Sequence, residues 1–321
     1  IIILPAVVGL MGIMSEVLFE WSKSWTPGGI PAAIWAIGLS LLICLFFILG
    51  STGRVKQVLS SIVIIIVVAF IANLFFAFPP IGEVMKGLVP SIPADVPGSD
   101  NSTYLLIAGM IGTTVSSIAF MIRSINVREA GWGVEQMRQQ RHDAVLSTIG
   151  VFIISTAILI AAASTLHPRG LTVNNAVDLV RLLEPIAGKT SIILMVIGIL
   201  AAGITSHIPN VMVIPWAISD YEGKPMNLQQ TRNRILVICL TMLGIMTPVF
   251  HWKPVFVMLL SQGLLAILLP IIVACLWYLL NSKHMKDYKF KRWENWLMAF
   301  VFCITLFFSM IAIWGLIKDF I

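Results

Sequence analysis

Nine apolar runs divide this chain, at 1–20, 31–50, 57–78, 104–122, 144–166, 189–217, 235–250, 254–281 and 295–317. A helix needs roughly 20 apolar residues to cross a ~30 Å hydrocarbon core, and these runs approach or exceed that length. No water in that core can satisfy a backbone N–H or C=O, so a spanning run has to close its own hydrogen bonds. The 29 residues of the sixth run exceed a straight span and are expected to tilt or to extend beyond the bilayer. Composition agrees: 58% of the 321 residues are hydrophobic and 11% are charged, where a soluble domain carries roughly 25% charged residues. The expectation is one all-α polytopic membrane domain over 1–321, not a string of soluble ones.

Charge placement orients it. Four loops carry Arg54 and Lys56; Arg123, Arg128, Arg138 and Arg141; Lys224, Arg232 and Arg234; and Lys283, Lys286, Lys289, Lys291 and Arg292. These are 14 of the 21 basic residues, and they fall in every second loop. Lys and Arg accumulate on the cytoplasmic side, so the four rich loops face the cytoplasm. The formal net charge of +6 therefore reflects membrane topology. A nucleic-acid partner would need a soluble basic face with stacking aromatics, which the chain lacks.

The chain opens at Ile1, inside an apolar run and without an initiating Met, so upstream helices are expected. Residues 1–20 fit a signal peptide poorly, because Glu16 and Glu20 follow the apolar part and no small-residue cleavage site appears. Cys44, Cys239, Cys275 and Cys303 all lie within apolar runs and show no metal-site or disulfide spacing. They read as small buried hydrophobes.

Two connections carry expectations of their own. The outer loop 79–103 holds Pro79, Pro80, Pro90, Pro93 and Pro97, which are expected to keep it non-helical. The stretch 124–142, with Trp132 among its arginines, reads as a short amphipathic connector on the cytoplasmic surface. In the outer segment 167–187, Asp178, Arg181 and Glu184 stand at the spacing of a short solvated helix.

Polar residues inside spans are costly, and they point to a cavity or a partner helix. The fourth run opens at its middle into Gly112, Thr113, Thr114, Val115, Ser116 and Ser117. Such a break is tolerated where it lines a substrate cavity. Small residues also let two helices pack closely, and the local sequence supports both readings equally. Glu16 and Glu20 lie one turn apart near the outer end of the first run, either as proton or cation relays or as interfacial residues reaching water. His207 and Asn210 follow Gly203-Ile204-Thr205-Ser206 in the sixth run. A lone intramembrane His is more often a packing residue than a ligand. Gln262, with Ser261 before it and Pro270 after it, offers a hard amide oxygen or interhelical glue. No nucleophile–base pair or phosphate loop is present to suggest an enzyme.

Several stretches together resemble the NRAMP family of proton-coupled divalent-metal transporters. Gly50 to Leu59 (GSTGRVKQVL) resembles the family's turn between its fourth and fifth helices. Leu200-Ala201-Ala202-Gly203-Ile204-Thr205-Ser206 is similar to the "LAAGQSS" of its eighth helix, and Leu260-Ser261-Gln262 with Leu269-Pro270 to the "SQ…LP" of its tenth. Leu279 to Met285 resembles the loop that follows.

The resemblance implies a LeuT-type fold of inverted five-helix repeats, working by alternating access in a bacterial plasma membrane. It makes the first run here the family's third helix, leaving out the first two and their Asp-Pro-Gly-Asn motif. The family's Met-Pro-His falls on Ser116, Ser117 and Ile118, so a soft thioether gives way to a hydroxyl. Soft ligands favour transition metals, while magnesium takes hard oxygen and keeps several waters. The metal site implied here is Thr113, Ser116 and Gln262. Glu16 or Glu20, with His207 and with Arg232 or Arg234, would carry a proton pathway. The divalent cation is then substrate, the proton a co-substrate, and no resident cofactor is expected. A second reading keeps the fold and moves an amino acid or other organic solute with sodium or protons.

Overall fold

The computed structural model describes residues 3–49, 57, 61, 64, 68, 81–87, 95, 101–114, 117–165, 178, 189–224 and 226–320. Eleven α-helices account for most of them: α1 (Ile3–Ser22), α2 (Ala32–Leu49), α3 (Ile81–Gly87), α4 (Thr103–Thr114), α5 (Ser117–Glu129), α6 (Met137–Thr165), α7 (Lys189–Tyr221), α8 (Thr231–Leu243), α9 (Met246–Val249), α10 (Pro254–Asn281) and α11 (Arg292–Phe320). There is no strand among the described residues. Among the described residues, seven helical segments are long and apolar enough to cross a membrane, and Ala32–Ile48 is a shorter apolar one. The third run, 57–78, and the turn at 50–59 lie almost wholly outside the described residues.

Helix α1 is the central post. Its most apolar window is 61% buried, against 36% or less for every other span. It packs on α2, α7, α8, α9 and α10, with Met11 and Met14 fully enclosed beside Ile43, Val211 and Val237. Small residues set the closest approaches. A Cβ built on Gly12 would lie 2.4 Å from a carbon of Thr247 and 2.9 Å from one of Pro254. One on Gly9 would lie 3.0 Å from the backbone nitrogen of Met258. The two facing pairs run in opposite directions, so α1 and α10 are antiparallel. Thr247 adds a long-range tie, donating its hydroxyl to the Val8 carbonyl at 2.8 Å.

A second cluster forms where α4, α10 and α11 meet. Ala108, Ala266 and Ala312, one from each helix, are all but completely buried against one another. Helices in lipid gain little from hydrophobic burial and associate through close packing instead, which small side chains permit. Ser309 of α11 donates to the Ile267 carbonyl of α10 at 3.2 Å.

The long-range ion pairs agree with the orientation read from charge. Arg128, after the fourth run, pairs with Asp220, after the sixth, at 2.5 Å. Both belong to loops assigned to the cytoplasm. On the other side, Lys318 at the end of α11 pairs with Asp95 of the outer loop 79–103.

Three local expectations change. Residues Ile81–Gly87 of the proline-rich outer loop are helical after all. Proline suits the start of a helix, where its missing N–H costs nothing, so Pro79-Pro80 precedes α3 without preventing it. The cytoplasmic stretch 124–142 is no separate connector helix. Its first part is the tail of α5, its last part the start of α6, with a 3₁₀ turn at Val134–Gln136 between. The seventh run is interrupted at Gly244 and Ile245, between α8 and α9. Of Asp178, Arg181 and Glu184, the last two lie outside the described residues.

Asp95 gives a testable tether. The Lys318 ammonium and the Thr103 N–H, the latter at 2.9 Å, both donate to it, and together they hold its carboxyl below the usual carboxylate value. A depressed folded value means the contribution is complete above the unfolded value of about 4 and is lost as pH falls through the lower folded one. Hydrogen exchange at the start of α4, corrected for intrinsic rates, is therefore expected to stay unchanged from pH 7 to pH 5. It should rise only below about pH 4. Asp95→Asn should show the faster exchange already at pH 7.

Candidate functional site

The fourth run is described as two helices, α4 ending at Thr114 and α5 beginning at Ser117. Val115 and Ser116 lie outside the described residues, so the implied ligand Ser116 is not placed. The residues just before it are. A Cβ on Gly112 would stand 2.0 Å from the backbone oxygen of Gln262 and 2.7 Å from its carbonyl carbon. Only a glycine lets the α4 and α10 backbones meet this closely. Gly112 itself therefore takes the packing role of the two open to it.

That contact sets Thr113 and Gln262 on neighbouring, touching helices. Gln262 is buried, and its side-chain Oε1 is enclosed without a hydrogen-bond partner. A buried amide oxygen left unpaired is costly, which makes it a strong acceptor for whatever supplies positive charge. Thr113 and Thr114 both donate their hydroxyls to the Met110 carbonyl at 2.8 Å, and both side chains are exposed. Those hydroxyls keep lone pairs, but their protons are spent within α4. Ile118, at the position of the family's sixth-helix His, is buried against Val213 of α7 and Leu265 of α10. Among the described residues no three His, Cys, Asp or Glu side chains come together as a metal cluster. The donors on this side are oxygens.

The implied proton-pathway residues are scattered. Glu16 lines a cavity of about 470 Å³ near the outer part of α1, together with His251, Phe19, Thr247 and Trp252. Its Oε2 is enclosed without a partner. Glu20 pairs with Lys23 at 2.5 Å at the outer end of α1. His207 is fully buried in α7, with neither ring nitrogen hydrogen-bonded. One turn earlier, Gly203 packs on the Met14 sulfur, which puts this stripe of α7 against α1. Asn210 donates to the Ser206 carbonyl of its own helix at 2.7 Å.

Arg232 and Arg234 lie at the cytoplasmic start of α8. Arg232 donates to both carboxylate oxygens of Glu222, holding that carboxyl below the usual range. Arg234 donates to the Leu228 carbonyl at 3.2 Å. Gly244, at the far end of α8, packs on Met11. From that level the arginines lie inward and Glu16 outward, so at 1.5 Å per residue they stand roughly 25 Å apart along the axis. The structure does not bring Glu16 or Glu20 together with either arginine.

His251 was missed in the sequence. It is the only non-glycine described residue with a positive φ, 54°, and it sits in the short turn before α10. Positive φ is uncommon outside glycine, with Asn, Asp and His the residues that adopt it most readily, and His251 lines the wall of the Glu16 cavity. The signal available beforehand was only a His between Phe250 and Trp252 at a membrane edge.

Comparison with known proteins agrees with the resemblance. A family model described as "Nramp: Natural resistance-associated macrophage protein-like" matches residues 3–315. Three relatives carry the name "Divalent metal cation transporter MntH". That of Caldanaerobacter subterraneus is 25% identical over 244 residues, covering 73% of this chain and 55% of the relative. That of Vibrio campbellii is 22% identical over 274 residues, covering 84% and 62%, and that of Brucella suis 25% over 297 residues, covering 88% and 64%. The chain thus spans between about half and two thirds of the length of these relatives. They give the organic-solute reading no support. Seven long apolar helices among the described residues, with bacterial relatives of this kind, describe an integral inner-membrane protein of the LeuT-type fold. From its third residue to its 315th, this chain belongs to the natural resistance-associated macrophage protein (NRAMP) family.

Proposed function

We propose that this protein is a secondary active transporter of a divalent metal cation, working by alternating access and forming no covalent intermediate. The observation that carries the reading is the buried, unpartnered Oε1 of Gln262, held beside the end of α4 by the Gly112 contact. A hard amide oxygen at that depth suits a cation that sheds part of its hydration shell. In this reading the carbonyl of Thr113 joins Gln262 in the donor set, and the hydroxyl of Ser116, which lies outside the described residues, completes it. The relatives' shared name supports the divalent charge. The hydroxyl in place of a thioether points the preference toward magnesium and other oxygen-seeking ions.

Protons enter as co-substrate through the titratable groups nearest the outer face. Glu16, with His251 across the same cavity, is the pair that supports this part of the reading. Arg232 is taken up by Glu222 at the other end of the protein and serves the cytoplasmic loop.

The test is uptake of Mg²⁺ and Mn²⁺ into proteoliposomes holding the full-length protein, at several pH values, beside Ser116→Met. The parent is expected to move Mg²⁺, alone or with Mn²⁺. Ser116→Met should shift the preference toward Mn²⁺ by roughly tenfold, because a thioether discriminates against magnesium. If neither ion moves under any gradient, the transport reading fails. If ions move but the substitution leaves the preference unchanged, Ser116 is no ligand.

A further inference from the structure

We propose that the groove between the cytoplasmic ends of α10 and α11 is a binding site for one anionic phospholipid of the inner leaflet. This inference is independent of what the protein transports. The groove has a volume of about 810 Å³ and is lined by Ala274, Trp277, Tyr278, Asn281, Lys283 and Phe302 among others. Its floor is apolar and its rim is polar, with the Lys283 ammonium at the cytoplasmic edge. That is the order of an acyl chain followed by a headgroup.

Three further observations converge on the same occupant. The first is depth. The loop after α10 is the most basic in the chain, so positive-inside placement puts the rim at the cytoplasmic headgroup layer. The groove also lies on the outer side of the bundle: Tyr278, Leu279, Trp296 and Phe300 near it are all exposed. Trp277 stands 15 positions after Gln262 on α10, roughly 22 Å further along the axis, so the groove is separate from the candidate cation site.

The second observation is charge. Residues 283–292 hold Lys283, Lys286, Lys289, Lys291 and Arg292 against one acid, Asp287. Lys289, Lys291 and Arg292 are exposed. The next acid, Glu294, has turned back to accept the Lys291 backbone N–H at 2.6 Å. Clustered Lys and Arg beside a membrane helix attract anionic lipid headgroups. A zwitterionic lipid offers the same acyl chains but no net charge to match this rim.

The third is that the groove is held open by a built polar knot. Asn295 of α11 accepts from the Trp277 indole N–H at 2.7 Å and from the Asn281 amide at 2.8 Å. Its own amide donates to the carbonyls of Phe290 and Lys291, both at 3.3 Å. Trp277 is thereby fixed with its ring tilted over Phe302, centroids 6.2 Å apart. Tyr288 and Trp293 are exposed at the same level, where amphipathic rings settle among headgroups.

The experiment is native mass spectrometry of the full-length protein, released from detergent after incubation with equal amounts of dioleoylphosphatidylglycerol and dioleoylphosphatidylcholine. One tightly held phosphatidylglycerol is expected, retained about tenfold or more over phosphatidylcholine. Lys283→Glu combined with Lys289→Glu should bring that ratio to about one, while Lys23→Glu on the outer face should leave it unchanged. A photoactivatable phosphatidylglycerol should label the peptide holding Trp277 and Tyr278 in the unsubstituted protein, which maps the site without any variant. Equal retention of the two lipids, an undiminished ratio in the double variant, or labelling confined to other helices would each overturn the proposal. Displacement of the lipid by millimolar inorganic phosphate would make this a free-anion site and overturn it too.

Discussion

Gly112→Ala should cost at least about 3 kcal/mol of stability, the largest single loss expected from so small a change. The added methyl would lie 2.0 Å from the Gln262 carbonyl oxygen. That neighbour is backbone, which cannot rotate away as a side chain would. The helices must separate, and α10 is also locked to α1 and α11, so the strain spreads. In a thermal-shift measurement in detergent the loss should appear as a fall on the order of 10 °C. Gly150→Ala is the control, since nothing lies within 4 Å of a Cβ there. Alanine is the better helix former, so that variant should be neutral or slightly more stable. If Gly112→Ala melts like Gly150→Ala, the backbone contact between α4 and α10 is wrong.

Gln262→Leu separates function from folding. The leucine has a similar reach and no polar atoms, so it removes a buried oxygen that has no hydrogen-bond partner. Replacing an unsatisfied polar group by an apolar one is neutral or stabilising. Metal uptake should nonetheless fall roughly 10–100-fold or more, the range seen when even outer partners of a metal site are lost. The measurement is uptake of ⁵⁴Mn²⁺ or of magnesium read by an entrapped dye, together with the melting temperature. Unchanged transport at unchanged stability would reduce Gln262 to interhelical packing and move the cation elsewhere.

Most of the architecture was legible because the bilayer imposes it. Length and apolarity alone placed eight of the nine runs on helices, and alternating basic loops gave an orientation with which the Arg128–Asp220 and Asp95–Lys318 pairs agree. What escaped was punctuation. The seventh run is interrupted at Gly244, where a Cβ would lie 2.7 Å from that of Met11, a neighbour 233 positions away in sequence. The helix at Ile81–Gly87 follows two prolines that read locally as breakers.

For the candidate site, the sequence named residues and left their arrangement open. Thr113 and Gln262 were named from a family likeness, and they do sit on touching helices. The role of Gly112 was not decidable from its neighbours, because a glycine that lines a cavity and one that admits a backbone look the same in sequence. Naming Glu16 or Glu20 with Arg232 or Arg234 for one proton pathway rested on which helices carry them. The depth of each residue along its helix keeps them apart.

The meeting of Ala108, Ala266 and Ala312 has a thermal consequence. Water-driven burial weakens on cooling, because its driving force near room temperature is entropic. Dispersion between close-packed methyl groups has no such dependence on water structure. The α4–α10–α11 seam is built on the second kind of force, so chilling should leave it as firm as warmth does, while solvent-facing contacts at the loops loosen first.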